Sequence, residues 1–225
     1  MKDELLVNSN PKSSVAEAIR MVRTNLMFSL KVKKGKVVLI TSSVKGEGKS
    51  FVSANLAISF AQKGLKVLLV DSDLRLGRLH SIFKISNKVG FSHLLADDDG
   101  KNYKRYIKET KIENLYFIPR GMVPPNPSEL LDSVHVLNFL ENVRKKFDVI
   151  LFDGTPINGL TDSLVFTKYV DKVVVVSAAN YTKVNLLENT IKCLKNLDVD
   201  LAGIVVNKIK NPITSSYCGE YYIND

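Results

Sequence analysis

Six short apolar runs rich in β-branched residues recur along the chain: KVVLIT (36–41), KVLLVD (66–71), NLYFIP (114–119), DVILFD (148–153), KVVVVS (172–177) and LAGIVVN (201–207). None alternates polar and apolar positions. A strand with one wet face alternates, so an unbroken apolar run belongs to a strand covered on both faces, as in a parallel sheet layered between helices. Between the runs lie segments with helical periodicity: SFVSANLAISFAQKG (50–64), with Gly64 at the usual left-handed stop, SVHVLNFLENVRKK (133–146) and VNLLENTIKCLKNL (184–197). Strands alternating with helices predict an α/β fold, a mainly parallel central sheet flanked by helices with right-handed crossovers. A length of 225 residues, 45% hydrophobic and 24% charged, suits one globular domain. The expected division is an N-terminal helical segment (1–35, helix near 13–30), a core (36–211) and a tail (212–225) without element pattern.

No apolar run reaches the ~18 residues that span a bilayer, and the polar start MKDELLVNSN does not read as a signal peptide. Cys193 and Cys218 make neither a metal-ligand spacing nor a disulfide framework, and suit a reducing compartment. The expectation is a soluble cytoplasmic protein. Its net charge of +9 collects in KVKKGK (31–36), KNYKRYIKETK (101–111) and VRKKF (143–147). These stretches read as solvated helix ends and loops, or as attraction to an anionic membrane face, nucleic acid or acidic partners.

The segment SVKGEGKS (43–50) follows one predicted strand and opens a predicted helix, the context in which a P-loop pattern carries meaning. Ser43 stands where the first Gly is usual. Gly46 and Gly48 permit a tight turn around Lys45 and Glu47, with N–H groups facing phosphates at the positive end of a helix. Lys49 is expected to reach the β- and γ-phosphates and Ser50 to ligate Mg²⁺, with Phe51 opening the helix beside them. VILFD (149–153) ends in Asp153, the Walker B position, expected to hold Mg²⁺ through water. VLLVDSDLR (67–75) ends in Asp71 and Asp73, which the two-residue period of an extended strand points to one face. Ligands of α/β sheets bind at such strand ends.

The P-loop, VDSDLR and FDGTP together resemble the deviant P-loop ATPases, and nearly the whole chain is similar to the bacterial tyrosine kinases of capsule and exopolysaccharide export. The run GMVPPNPSELL (121–131) belongs to that resemblance; physically it reads as extended backbone, then Asn126 and Pro127 starting a short helix. Partition and septum-site ATPases of the same group carry a signature lysine five residues before the P-loop lysine. Here that position is Val44, Lys45 being one place off, which favours the kinase side. Ser72 and Leu76-Gly77 vary the usual residues around the second Walker segment, and Gly154 stands where Thr is usual.

The resemblance implies ATP and Mg²⁺, with Asp71 as the base for a tyrosine hydroxyl and Asp73 turned towards Mg²⁺, although the two roles are open to exchange. It implies that Arg75 stabilises phosphate charge and that Asn207 touches the adenine. In EAIRMVR (17–23), Glu17, Arg20 and Arg23 form a drifting helical stripe on which Glu17 and Arg20 can pair, with Ala16, Ile19 and Leu26 packed inward. The same pattern resembles the family's oligomerisation motif, which closes subunits into rings. The tail SSYCGEYYIND (215–225) holds Tyr217, Tyr221 and Tyr222 out of eight tyrosines in the chain. Beside a Mg·ATP site these become expected autophosphorylation sites. Partners implied are a membrane-anchored activator of the polysaccharide co-polymerase type, a cognate tyrosine phosphatase and protein substrates. Nucleic acid is not expected. The rival is a positioning or partition ATPase that binds DNA or a membrane pole; the missing lysine, the tyrosine tail and the lack of a C-terminal amphipathic helix count against it.

Overall fold

Residues alternate faces along a strand, and here both faces are apolar, so the chain must supply a helical layer on each side. A computed structural model, which describes residues 4–31 and 34–210, shows how it does so. The elements are α1 (Leu6–Ser9), α2 (Ser14–Leu30), β1 (Lys36–Ser42), α3 (Lys49–Gln62), β2 (Val67–Asp71), α4 (Leu79–Phe83), α5 (Phe91–Asp97), β3 (Lys108–Glu109), β4 (Leu115–Ile118), α6 (Pro127–Asp132), α7 (Val134–Val143), β5 (Val149–Pro156), α8 (Asp162–Phe166), β6 (Lys172–Ala178), α9 (Val184–Asn196) and β7 (Leu201–Asn207). Single 3₁₀ turns cover Tyr103–Arg105 and Thr167–Tyr169.

The strands form one sheet in the order β3-β4-β2-β5-β1-β6-β7. All neighbours are parallel except β3 and β4, where Lys108 sits opposite Phe117. Each of the six apolar runs contains a strand; β3, two residues inside the basic stretch 101–111, carries no apolar signal and was not expected.

The period of two divides each strand between two cores. Val37, Leu39, Leu68 and Val70 face Phe91 of α5, Phe139 of α7 and Phe166 of α8. Val38, Ile40, Val67 and Leu69 face Ile19 and Leu26 of α2 and Leu56 and Phe60 of α3. Phe152 of β5 centres the first core, its ring 4.6 Å from Phe166 and 5.9 Å from Phe91. Helix α2 is capped by Ser13, whose Oγ accepts the Ala16 N–H at 3.1 Å. It buries Ala16, Ile19 and Leu26 as its periodicity requires. Helix α6 starts with Pro127 in its first turn, as expected.

This topology brings the C-terminal ends of β1, β2 and β5 side by side, with Asp71 level with Asp153 and Ile40 level with Asp153 across the other edge. The β1–β5 register slips between Ile40 and Ser42, where β1 gives way to the P-loop. Among the described residues, no helix is long and apolar enough to cross a membrane. Cys193 is a free, half-buried thiol. Cys218, Tyr217, Tyr221 and Tyr222 lie outside the described residues.

Candidate nucleotide site

Helix α3 begins from a left-handed Gly48 (φ 91°), and Gly46 has the same φ, so the turn needs two residues that pay nothing for that conformation. Glu47 is buried; its Oε2 accepts the Val44 N–H at 2.6 Å and its Oε1 accepts the Thr182 hydroxyl. The loop borders a cavity of about 500 Å³, whose wall also includes Lys45, Lys49, Ser50, Phe51 and Asp73. Ser43 lies beneath the loop, fully buried.

Lys49 Nζ donates to Asp153 Oδ1 at 2.9 Å and stands 3.9 Å from Asp73 Oδ2. Burial pulls the ammonium's pKa down, but Asp153 and Asp73 outweigh it and the net shift is upward, so Lys49 is a fixed cation. Ser53 also donates to Asp153 Oδ1, at 2.9 Å. Asp71 is fully buried, its Oδ2 accepting the Leu79 N–H at 3.1 Å. Burial first, and the Asp153 carboxylate second, push the Asp71 carboxyl well above the ordinary carboxylate range. Asp73 reaches the cavity; its Oδ1 accepts the Leu76 and Arg75 N–H groups at 2.9 and 3.3 Å. Burial raises its pKa too, against the opposing pull of Lys49. The two carboxylates thus share a neighbourhood but not an exposure: Asp73 lines the cavity, and Asp71 lies behind it.

Arg75 also lines the cavity, yet its Nε and Nη2 are committed to Asp162 at 2.7 and 3.0 Å. Asp162 opens α8, is fully buried, and lies 87 residues from Arg75, so no spacing rule links them. Arg120, just before the GMVPPNPSELL run, donates to the Arg75 carbonyl at 2.7 Å and ties that run to the same turn. Gly154 sits where there is no room for a side chain. A Cβ there would meet Ser163 Oγ at 2.5 Å, and Ser163 Oγ instead donates to Thr155 O at 2.7 Å, with Thr41 Oγ1 on the same carbonyl at 2.7 Å. Asn207 spends its amide N–H on the Glu47 carbonyl at 2.9 Å.

Glu17 and Arg20 pair within the chain at 2.8 Å, as their spacing allows. Arg23 reaches inward to Ser59 O at 3.2 Å, and burial lowers its pKa. The same helix exposes Phe28 (79%) and Met21 (52%) to solvent.

The cavity suits a phosphorylated nucleotide with a hard cation. Ser43 Oγ, Asp71 Oδ1 and Asp153 Oδ2 are buried without a hydrogen-bond partner among the described residues, and such orphaned oxygens call for an additional polar group. Among the described residues no three His, Cys, Asp or Glu side chains stand together as a metal cage. Of the residues expected to hold Mg²⁺, Ser50 and Asp73 line the cavity, and Asp153 is fully buried against Lys49.

Residues 35–203 match the family model described as an AAA domain. The chain is 32% identical over 225 residues to the tyrosine-protein kinase YwqD of Bacillus subtilis, covering 100% of this chain and 94% of that one. It is 32% identical to the tyrosine-protein kinase etk of Escherichia coli over 94% of its own length, spanning 29% of that longer protein. Among solved structures, the chimerical protein CapA2B2 superposes with a TM-score of 0.87 at 33% identity, covering 94% of this chain and 92% of that one. The P-loop ATPase-like fold and nucleotide binding follow from this likeness.

Proposed function

The chain belongs to the bacterial tyrosine-kinase family, and from that premise we propose that it transfers the γ-phosphoryl group of ATP to tyrosine hydroxyls. The first acceptors are its own Tyr217, Tyr221 and Tyr222, reached between subunits, and the outcome is control of capsular or exopolysaccharide polymerisation and export. The observation that carries this is the meeting of Lys49, Asp71, Asp73 and Asp153 at three strand ends beneath a P-loop.

Phosphoryl transfer needs positioning and charge neutralisation more than covalent help. The P-loop N–H groups and Lys49 hold the phosphates and take up charge on the leaving ADP. Ser50, with Asp73 and Asp153, would hold Mg²⁺, which when bound draws charge from the phosphate oxygens. The tyrosine oxygen bonds to the γ-phosphorus, the bond to the bridging oxygen breaks, and the phenolic proton passes to Asp71. Free tyrosine has a pKa near 10, so a buried carboxylate with raised proton affinity suits that task. Because Asp71 lies behind Asp73, the turn 74–78 must shift for the hydroxyl to reach it. Arg75, released in part from Asp162, would face the phosphates, and Asn207 Oδ1 would accept from the adenine amino group.

Assembly through Glu17, Arg20 and Arg23 is supported by the accessible Glu17–Arg20 pair and the exposed Met21 and Phe28 on the same helix. A ring would offer each tail to a neighbour's site. Each phosphate adds roughly −1.5 to −2 charges, so a modified tail would dock less well and loosen the ring. We place the protein at the inner face of the membrane through a membrane-anchored activator, with a cognate phosphatase reversing its modification.

Incubation with ATP and Mg²⁺, with and without the activator's cytoplasmic segment, tests the reading by phosphotyrosine detection. Wild type gains phosphotyrosine on the tail. Asp71→Ala gains none but keeps most of its ADP affinity. Absence of phosphotyrosine in the wild type with activator present defeats the proposal. Light scattering of Glu17→Ala/Arg20→Ala is expected to show smaller particles, and an unchanged size rejects the motif.

A further inference from the structure

Three successive carbonyls of the P-loop are each taken by a different side chain from the last quarter of the sequence. Tyr181 Oη donates to Lys45 O at 3.0 Å, Lys208 Nζ to Gly46 O at 2.6 Å, and Asn207 Nδ2 to Glu47 O at 2.9 Å. The three side chains come from two places, the turn after β6 and the end of β7. They also brace one another: Lys208 Nζ lies 4.9 Å from the Tyr181 ring centre, a cation–π distance. Below them, the Glu47 carboxylate joins the loop to Thr182, which also accepts the Ala178 N–H at 3.1 Å.

A trans peptide is planar, and its C=O and the following N–H point in opposite directions. Pinning the carbonyls of Lys45, Gly46 and Glu47 from one side therefore aims the N–H groups of Gly46, Glu47 and Gly48 towards the other. Those are the donors a P-loop presents to phosphate. The glycines serve this arrangement in a second way. A Cβ on Gly48 would sit 2.1 Å from Asn207 Nδ2, and one on Gly46 would sit 2.9 Å from Tyr181 Oη. Both glycines leave the space through which the braces reach the loop. Lys208 itself adopts a left-handed φ of 58°, unfavourable for a side-chain-bearing residue and sustained here while its ammonium holds Gly46 O.

We propose that Tyr181, Lys208 and Asn207 are positioning residues, a clamp that pre-orients the phosphate-facing N–H groups for a nucleoside di- or triphosphate. The clamp rests on the reading of the cavity as a nucleotide site, but not on tyrosine as the phosphoryl acceptor. It gives Tyr181 and Lys208 a role, and gives Asn207 one separate from any contact with adenine. It also makes the phosphate cradle depend on where β7 ends, at Asn207, far from β1 in the chain but two strands away in the sheet.

Titration calorimetry with two probes, ADP and inorganic pyrophosphate, tests this on the full chain, alongside hydrogen exchange of the nucleotide-free protein. Each lost hydrogen bond is expected to weaken binding about 3- to 10-fold. Tyr181→Phe, which changes no charge, should weaken both probes by the same factor and speed amide exchange within 43–50. Lys208→Met should do the same, and Lys208→Arg should restore much of the loss. Melting temperatures without nucleotide should stay within about 3 °C of wild type. Asn207→Ala should weaken pyrophosphate as much as ADP; loss of ADP binding alone would assign Asn207 to the adenine and remove it from the clamp. Unchanged affinity in Tyr181→Phe and Lys208→Met overturns the proposal, as does a fall in melting temperature large enough to account for the weaker binding. A wild type that binds neither probe sinks the clamp and the nucleotide reading together. A wild type that binds both but makes no phosphotyrosine sinks only the kinase reading.

Discussion

At the scale of single residues, the turn after β2 is governed by two close contacts. Arg75 and Asp162 form a two-pronged pair in which the carboxylate is fully buried and the guanidinium half-exposed. Removing the cation alone leaves an uncompensated buried charge. Arg75→Met is therefore expected to cost about 2–4 kcal/mol in denaturant unfolding. Arg75→Met/Asp162→Leu should recover most of it, and a double variant no better than the single one would contradict the pairing. Gly77 sits against the carboxylates themselves: a Cβ there would lie 2.1 Å from Asp71 Oδ1 and 2.6 Å from the Asp73 carbonyl. Backbone atoms move little, so Gly77→Ala should destabilise by about 1–3 kcal/mol and displace both carboxylates. Thermal melting reads the first effect and phosphotyrosine formation the second.

Among the elements, those with a periodic apolar pattern were legible and the short polar ones were not. The strand β1 and the helix α3 announce themselves in KVVLIT and SFVSANLAISFAQKG, because burial on a face imposes a period on the sequence. The strand β3 imposes none, being two residues long at a sheet edge, and the helices α4 and α8 are five residues each. The site divides the same way. The loop Gly46–Ser50 and the strand-end carboxylates are local patterns, whereas Asp162 with Arg75, and Tyr181 and Lys208 with the P-loop, are partnerships of distant segments that only the folded sheet creates. The link from α5 to β3 is another of these partnerships. Tyr106 is buried and donates its hydroxyl to Asp98, and burial followed by that bond lifts its pKa to about 12. The same bond is the main cause that draws Asp98 below its ordinary 3.8. A depressed carboxylate contributes stability that is present above its unfolded pKa and lost as pH falls through the folded one. Tyr106→Phe is therefore expected to be less stable than wild type at neutral pH, with the gap narrowing below about pH 4. A gap that stays constant on acid titration would assign the loss to packing alone.

Over the whole molecule, the site is a junction where four adjacent strands of one sheet, β2, β5, β1 and β6, and the end of β7 next to them all contribute. Each supplies one component: carboxylates from β2 and β5, the loop from β1, braces from the turn after β6 and from β7. A ligand bound there contacts groups that global unfolding would scatter, so its binding energy is added to the stability of the entire sheet. For one site, ligand at 100 times its Kd adds about 2.7 kcal/mol. In a chain of this size that corresponds to a rise of roughly 5–10 °C in melting temperature. On the proposed reading, in which Ser50 would help to hold Mg²⁺, the rise with Mg²⁺ present should exceed that with EDTA at the same ADP concentration. Ser50 lies on the cavity wall at the first turn of α3, clear of the core. Ser50→Ala is therefore expected to melt within about 1 °C of wild type when no nucleotide is added. Its ADP-induced rise should be about the same in Mg²⁺ and in EDTA. If Ser50→Ala keeps the full difference between Mg²⁺ and EDTA, the metal is held elsewhere, and Asp73 and Asp153 become the ligands to test by Asp73→Asn and Asp153→Asn.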